Sequence, residues 1–351
     1  DPDCSWKVVM GDGHRVVSVR DGHSPQTINI EDGWRSILRS ASDQYVLLLS
    51  ELNDLPATFR YSLETGDGSP IVFDRDKDYA GYLGHFKSLM SSSGDVFFID
   101  IAGNIGCYSD SYGCTEQAIS DGVHDILIDN QALSDDGSLY VASICWEGNN
   151  YAVLGYSAEG RLLWKTGLES TSTGEIEASS DGSLVAVDRF ANGIAILDGR
   201  TGSIVNSVLP GKYIYTLAIS PNGRFVASSF FASNRDDTMS LSCIDTQSTE
   251  NSNAMWSGEV SGLVFVRAVT DDGAFLVESL GDLGLRYFLY DQAGNILWQS
   301  PVCHSGGGFQ TPLTIESIAL SSVAATDDGY IIGYCIPDSS EVDIIRIGRE
   351  K

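Results

Sequence analysis

Leu217-Ala218-Ile219-Ser220-Pro221-Asn222-Gly223-Arg224-Phe225-Val226-Ala227-Ser228 decides how this chain is read. An apolar strand runs into a tight turn at Asn222-Gly223, and a second strand leaves it. Asn-Gly supplies positive φ at no steric cost, which a short hairpin connection demands. The Val, Ile and Phe on either side suit a pleated, half-buried surface. Working outward, the frame recurs as Ala132–Ala142 around Asp136-Gly137 and as Ala178–Val187 around Asp181-Gly182. It returns as Ala268–Val277 around Asp272-Gly273 and as Ala324–Ile332 around Asp328-Gly329. Weaker copies sit at Leu89–Phe98 around Gly94 and at Ser40–Leu48 around Asp43. From Gly94 onward the turn glycines lie between 41 (Gly182 to Gly223) and 56 (Gly273 to Gly329) residues apart.

A second hairpin follows the first. It runs through Asp198-Gly199 and Gly202 in Ala195–Val205, through Gly294 in Phe288–Trp298, and through Gly160 in Leu154–Trp164. Two hairpins per repeat make a four-stranded antiparallel sheet, and one such sheet cannot bury both faces alone. Neighbouring sheets must therefore stack around an axis. No segment shows a convincing helical period, which supports the same answer. The expected fold is all-β: a single β-propeller domain over residues 1–351, built of four-stranded antiparallel blades. The hairpin count between Ser40 and Tyr334 predicts seven blades with a surplus N-terminal hairpin; eight blades with split terminal sheets is the alternative. N-terminal strands at Lys7–Met10, Arg15–Val19 and Thr27–Ile30, and a C-terminal one at Val342–Ile347, are expected to close the ring and shield its edges.

Gly294-Asn295-Ile296-Leu297-Trp298 and Gly160-Arg161-Leu162-Leu163-Trp164 resemble the outer hairpin of PQQ-like propeller repeats. Gly84-His85, ahead of the strand at Leu89, resembles the Gly-His that opens a WD40 blade. This likeness is to the repeat, covers most of the chain, and implies a propeller. The PQQ-like resemblance also raises a quinoprotein dehydrogenase. Those enzymes are considerably longer, and the adjacent Cys-Cys that marks many of them is absent here. No cofactor is expected on that account.

Charge narrows the function classes. Forty-eight Asp and Glu against 21 Lys and Arg give a net charge of −27. Such a field repels phosphate backbones and anionic headgroups, so no nucleic-acid partner is expected. No apolar run reaches the ~18 residues a membrane helix needs, so no direct membrane insertion is expected either. The seven cysteines are an odd number. Cys107 and Cys114 bracket a short Gly- and Ser-containing loop at a spacing that suits a disulfide-closed hairpin. That bridge would place the protein outside the cytoplasm, at the cell surface or in the periplasm. Cys145, Cys243 and Cys335 lie among apolar strand residues and read as buried thiols. Cys4 is a candidate partner for Cys303 or Cys335 near the ring closure.

Asp74, Asp76 and Asp78 form an alternating run that can wrap calcium through oxygen ligands. The sixth and twelfth positions hold Tyr79 and His85 rather than Gly and Glu, so a solvated acidic loop competes with that reading. The histidines, His14, His23, His85, His124 and His304, share no ligand spacing. Ser305-Gly306-Gly307-Gly308 lacks the Lys of a phosphate-binding loop and reads as a plain connection. No catalytic residues are nominated. The expected role is a non-catalytic binding or scaffold module, with a protein partner or a place in a larger surface assembly. Its partner surface is expected on the longer loops around Asn53–Asp67, Phe230–Thr238 and His304–Thr314. The alternative is a propeller lyase or hydrolase with its site at the channel mouth.

Overall fold

The computed structural model describes residues 7–11, 15–20, 26–29, 35–41, 45–52, 55–62, 68–71, 88–91, 93–99, 104–109, 113–118, 127–146, 150–168, 174–231, 239–248, 254–260, 262–281, 284–299, 321–326, 329–335 and 342–348. Its strands fall into eight antiparallel sheets, numbered here in chain order, and in each the strands neighbour one another in sequence order. Among the described residues the one helical element is a 3₁₀ turn at Phe190–Asn192. Sheet 4 comprises Leu127–Leu133, Leu139–Trp146, Asn150–Ser157 and Leu162–Leu168. Sheet 5 comprises Ile176–Ala178, Leu184–Asp188, Ile194–Asp198 and Ile204–Val208. Sheet 6 runs from Tyr213–Ile219 through Phe225–Phe231 and Met239–Asp245 to Ala254–Val260. Sheet 7 runs from Leu263–Val269 through Phe275–Gly281 and Gly284–Tyr290 to Ile296–Gln299.

The chain groups into two compact units, one of residues 1–101, 108–114 and 308–351, the other of residues 102–107 and 115–307. In the first unit, sheet 1 (Lys7–Gly11, Arg15–Arg20, Gln26–Asn29) and sheet 8 (Ser321–Thr326, Gly329–Cys335, Val342–Gly348) have three strands each. The N-terminal strands thus form a sheet of their own. Lys7–Gly11 lies against the first two strands of sheet 8, and among the described residues no ladder joins the two sheets.

Sheets 4 to 7, in the second unit, show why the repeat folds. Side chains alternate across a strand, and in sheet 5 both sets are buried. Val185, Val187, Ala195 and Leu197 meet Val141, Val153 and Trp164 of sheet 4. Ala186, Ile194 and Ile196 meet Leu217, Val226 and Ile244 of sheet 6. Phe225, Leu241 and Cys243 of sheet 6 then meet Val266, Phe275 and Val277 of sheet 7. Burying each such aliphatic side chain is worth about 1.5–3 kcal/mol, and only a neighbouring sheet supplies the cover. The cysteine expectation is met at Cys243, buried and pushed up to about 12 by that burial, while Cys145 is half-buried.

The first hairpins share one polar device. Ser134, Ser179 and Ser220 are fully buried at the end of each first strand. Each hydroxyl donates to the turn residue two positions on: Asp136 at 2.7 Å, Asp181 at 2.9 Å and Asn222 at 2.9 Å. Each also accepts a backbone N–H from five positions on, Leu139, Leu184 or Phe225, at 2.9–3.0 Å. The turns are tied to one another as well. Asp136 N donates to Ser180 O at 3.1 Å, Ser180 N to Pro221 O at 2.9 Å, and Asn222 N to the Asp271 carboxylate at 2.8 Å.

The outermost strands carry a second device. Trp164 Nε1 donates to Gly199 O, in the second hairpin of the next sheet, at 2.7 Å. Asn206, four residues after Gly202 as Trp164 is after Gly160, donates to Thr246 O at 3.2 Å. Trp256 lies so close over Gly294 that a Cβ there would meet its ring at 2.0 Å. In each outer ladder the register slips by one residue just before this plug: at Leu163, Val205, Met255 and Leu297.

Candidate functional site

Two places in the second unit stand apart from plain packing. The first is at the end of sheet 5 opposite its hairpin turns. Asp188 closes the strand Leu184–Asp188 with its side chain only 3% exposed. One carboxylate oxygen accepts the Phe190 N–H at 2.7 Å. The other lies against bare backbone at Gly174, where a Cβ would stand 1.8 Å from it. Asp188 N donates to Glu175 O at 2.9 Å, so the two acidic residues are held side by side. Phe190 itself has φ 55°, in the left-handed region that side chains other than Gly's avoid, and its ring meets Tyr213 edge-on at 5.1 Å. Strain of this kind persists where surroundings over-determine it. Here the Asp188 bond and the Tyr213 contact do so.

Burial pushes Asp188 up to about 7; the Phe190 N–H offsets part of that and the Glu175 charge adds to it. Glu177, half-buried on the first strand of sheet 5, is pushed up to about 8 chiefly by desolvation, with Glu175 and Asp135 adding like charge. Carboxyls that titrate near neutrality can give or take protons in acid–base chemistry. Among the described residues, no group of three or more His, Cys, Asp or Glu is placed to hold a metal ion. A separate carboxylate, Glu278, is 1% exposed and bound bidentately by Arg267 at 3.0 and 3.1 Å, a paired charge within sheet 7.

The second place is the rim. Eight large hydrophobic side chains stand exposed among the described residues, and six occupy one repeat position. Leu162-Leu163, Ile204-Val205 and Ile296-Leu297 open the outermost strands of sheets 4, 5 and 7, each 41–56% exposed. Ala254-Met255 holds the same place in sheet 6. The second member of every pair is the residue at which the register slips. A bulge re-aims side chains and breaks the ladder. The exposure is thus built by the strand pairing.

Most residues singled out in the sequence lie elsewhere. Asp74, Asp76, Asp78, the five histidines and Ser305–Gly308 are outside the described residues, as are 232–238 and the whole of His304–Thr314. The expected loop at Asn53–Asp67 is corrected: Leu55–Ser62 within it is a strand paired with Tyr45–Leu52. Cys107 and Cys114 fall on Asn104–Ser109 and Gly113–Ala118, neighbouring strands of sheet 3, with their side chains outside the description. Sequence reading missed Asp188, Phe190 and the exposed pairs. The signal available was the aliphatic pair ahead of each Trp, in Leu162-Leu163-Trp164 and Ile296-Leu297-Trp298.

No protein-family model and no curated protein sequence matches the chain. Solved structures do. A structure of the Dos1 propeller matches with a TM-score of 0.57 at 14% identity, covering 87% of this chain and 79% of that one. An oligogalacturonate lyase in complex with manganese matches at 0.54 and 10% identity, covering 97% of this chain and 94% of the other. The oligogalacturonate lyase of Vibrio parahaemolyticus matches at 0.55 and 11% identity, covering 97% and 95%. At these identities the likeness speaks for the fold alone, and the fold is a β-propeller.

Proposed function

We propose that this protein is a non-catalytic binding or scaffold module that holds a protein partner, outside the cytoplasm or within a surface assembly. The observation that carries this reading is the rim. Exposed apolar pairs at one repeat position on sheets 4, 5 and 7 are a surface feature of the kind interaction sites share. The inter-sheet plugs and tied turns supply the rigidity a scaffold requires. The same reading takes the eight sheets as eight blades, with Lys7–Gly11 set against the last of them.

A second reading is favoured by Asp188 and Glu177, whose raised carboxyls suit a propeller enzyme such as a lyase or hydrolase. An oligogalacturonate, a chain of uronic acids, would meet a field of its own sign in a protein of net charge −27. That works against the substrate class of the two lyases. Isolating the protein from its native source and identifying what co-elutes separates the readings. A stoichiometric protein partner supports the binding module. A protein that runs alone and turns over a substrate defeats it.

A further inference from the structure

We infer that the exposed outer-strand pairs of sheets 4, 5 and 7 form a docking surface, and that its occupant is a cationic protein segment bearing apolar side chains. The inference rests on the binding-module reading and names its partner. The surface is not residual core. After the first two pairs the residue that follows, Trp164 or Asn206, plugs the neighbouring sheet. The pair itself is left outside by the register slip. Plugging the next sheet needs only the third residue. Nothing in that contact calls for Leu, Ile or Val at the two residues before it, yet all three described pairs are aliphatic.

The mode of binding follows from the bulge. Because the ladder is broken at the slip, an added strand would lose its register there, so affinity must come from side-chain burial. Charge selects the occupant. A second copy would bring another −27, and nucleic acid or anionic lipid would be repelled alike. Carboxylates stand at the turn before each pair. Glu159 is kept ionised by the Ser157 hydroxyl, and Asp198 by the Thr201 hydroxyl and backbone. Asp291 is held below the usual range by Asn295 and the turn backbone, against the effect of burial. Arg161, Arg200 and Lys165 also lie near the first two pairs, whereas the turn and strand from Asp291 to Gln299 hold no basic residue. The pair at Ile296-Leu297 therefore anchors the cationic segment most firmly.

The test uses the full chain with methyl-labelled Ile, Leu and Val, titrated with an amphipathic Lys/Leu peptide and with its Glu/Leu counterpart. The Lys/Leu peptide is expected to shift the methyls of Leu162, Leu163, Ile204, Val205, Ile296 and Leu297 ahead of all others. The Glu/Leu peptide is expected to leave them in place. The double variant Val205→Ser, Leu297→Ser, which removes apolar surface without altering charge, should weaken the Lys/Leu peptide by about tenfold or more, with little change in melting temperature because both sites are exposed. Shifts spread over the surface, equal binding of both peptides, or no binding would overturn the inference. So would a dimer of the chain that the double variant dissolves, since the occupant is then a second copy. If the peptide misses the rim while the native protein still co-purifies with a partner, only this inference fails. If the native protein runs alone and turns over a substrate, the reading beneath it fails too.

Discussion

Asp188 shows how much one side chain can carry. It is buried against Gly174, bonded to the N–H that fixes Phe190 in a left-handed conformation, and set beside Glu175. Its carboxyl is raised to about 7 and that of Glu177 to about 8. In the unfolded chain both release their protons near pH 4, so between there and pH 8 the folded state holds more protons. Stability should then fall as pH rises through that window. Asp188→Asn keeps an oxygen for the Phe190 N–H and removes the charge. Urea denaturation across pH should show the variant gaining on the order of 2 kcal/mol over the parent at pH 8 and little at pH 4. The buried serines make the opposite case. Ser220→Ala leaves the Phe225 N–H without its side-chain acceptor and should cost about 1–3 kcal/mol in the same assay. The two differ in legibility. A Ser or Thr two residues ahead of Asp or Asn recurs in five of the turns and is there to be read. Asp188 depends on a glycine fourteen residues earlier pressing on its carboxylate, which no local pattern announces.

At the scale of the hairpin and the sheet, the first turns were legible because Asn-Gly and Asp-Gly chemistry is local. Gly137, Gly182, Gly223 and Gly273 all take positive φ as that chemistry requires. Outer-strand bulges were not legible, because register belongs to two strands at once and neither sequence contains it. The inter-sheet plug lies between these cases: the Trp is a visible mark of the repeat, while its acceptor sits in the next sheet. Substitutions should separate its parts. Trp164→Phe removes the bond to Gly199 O and should cost about 1 kcal/mol. Gly294→Ala meets both φ 81° and the Trp256 ring, and should cost at least about 2 kcal/mol. Chemical denaturation ranks the two. A reversed order would mean that Trp256 yields easily and that the plug is loose.

For the whole molecule, the all-β propeller was legible because a sheet that repeats every few dozen residues cannot bury itself alone. The number of blades was harder. Seven clear hairpin turns favour seven, with eight as the alternative, and the described strands fall into eight sheets, three-stranded at the first and last. The N-terminal strands were visible in sequence, but whether they pair among themselves or with the C-terminus is a long-range choice. A net charge of −27 acts at this scale too. Self-repulsion should ease as the Debye length drops from about 30 Å at 0.01 M salt to about 8 Å at 0.15 M. The melting temperature should accordingly rise by several degrees over that range. The same field that burdens the fold would draw in a cationic partner. Light scattering on the native particle weighs it directly. The binding module predicts a mass above that of the native polypeptide alone at physiological salt, falling to that value when salt is raised. A particle with the mass of one native polypeptide at every salt concentration, active on a substrate by itself, would contradict it.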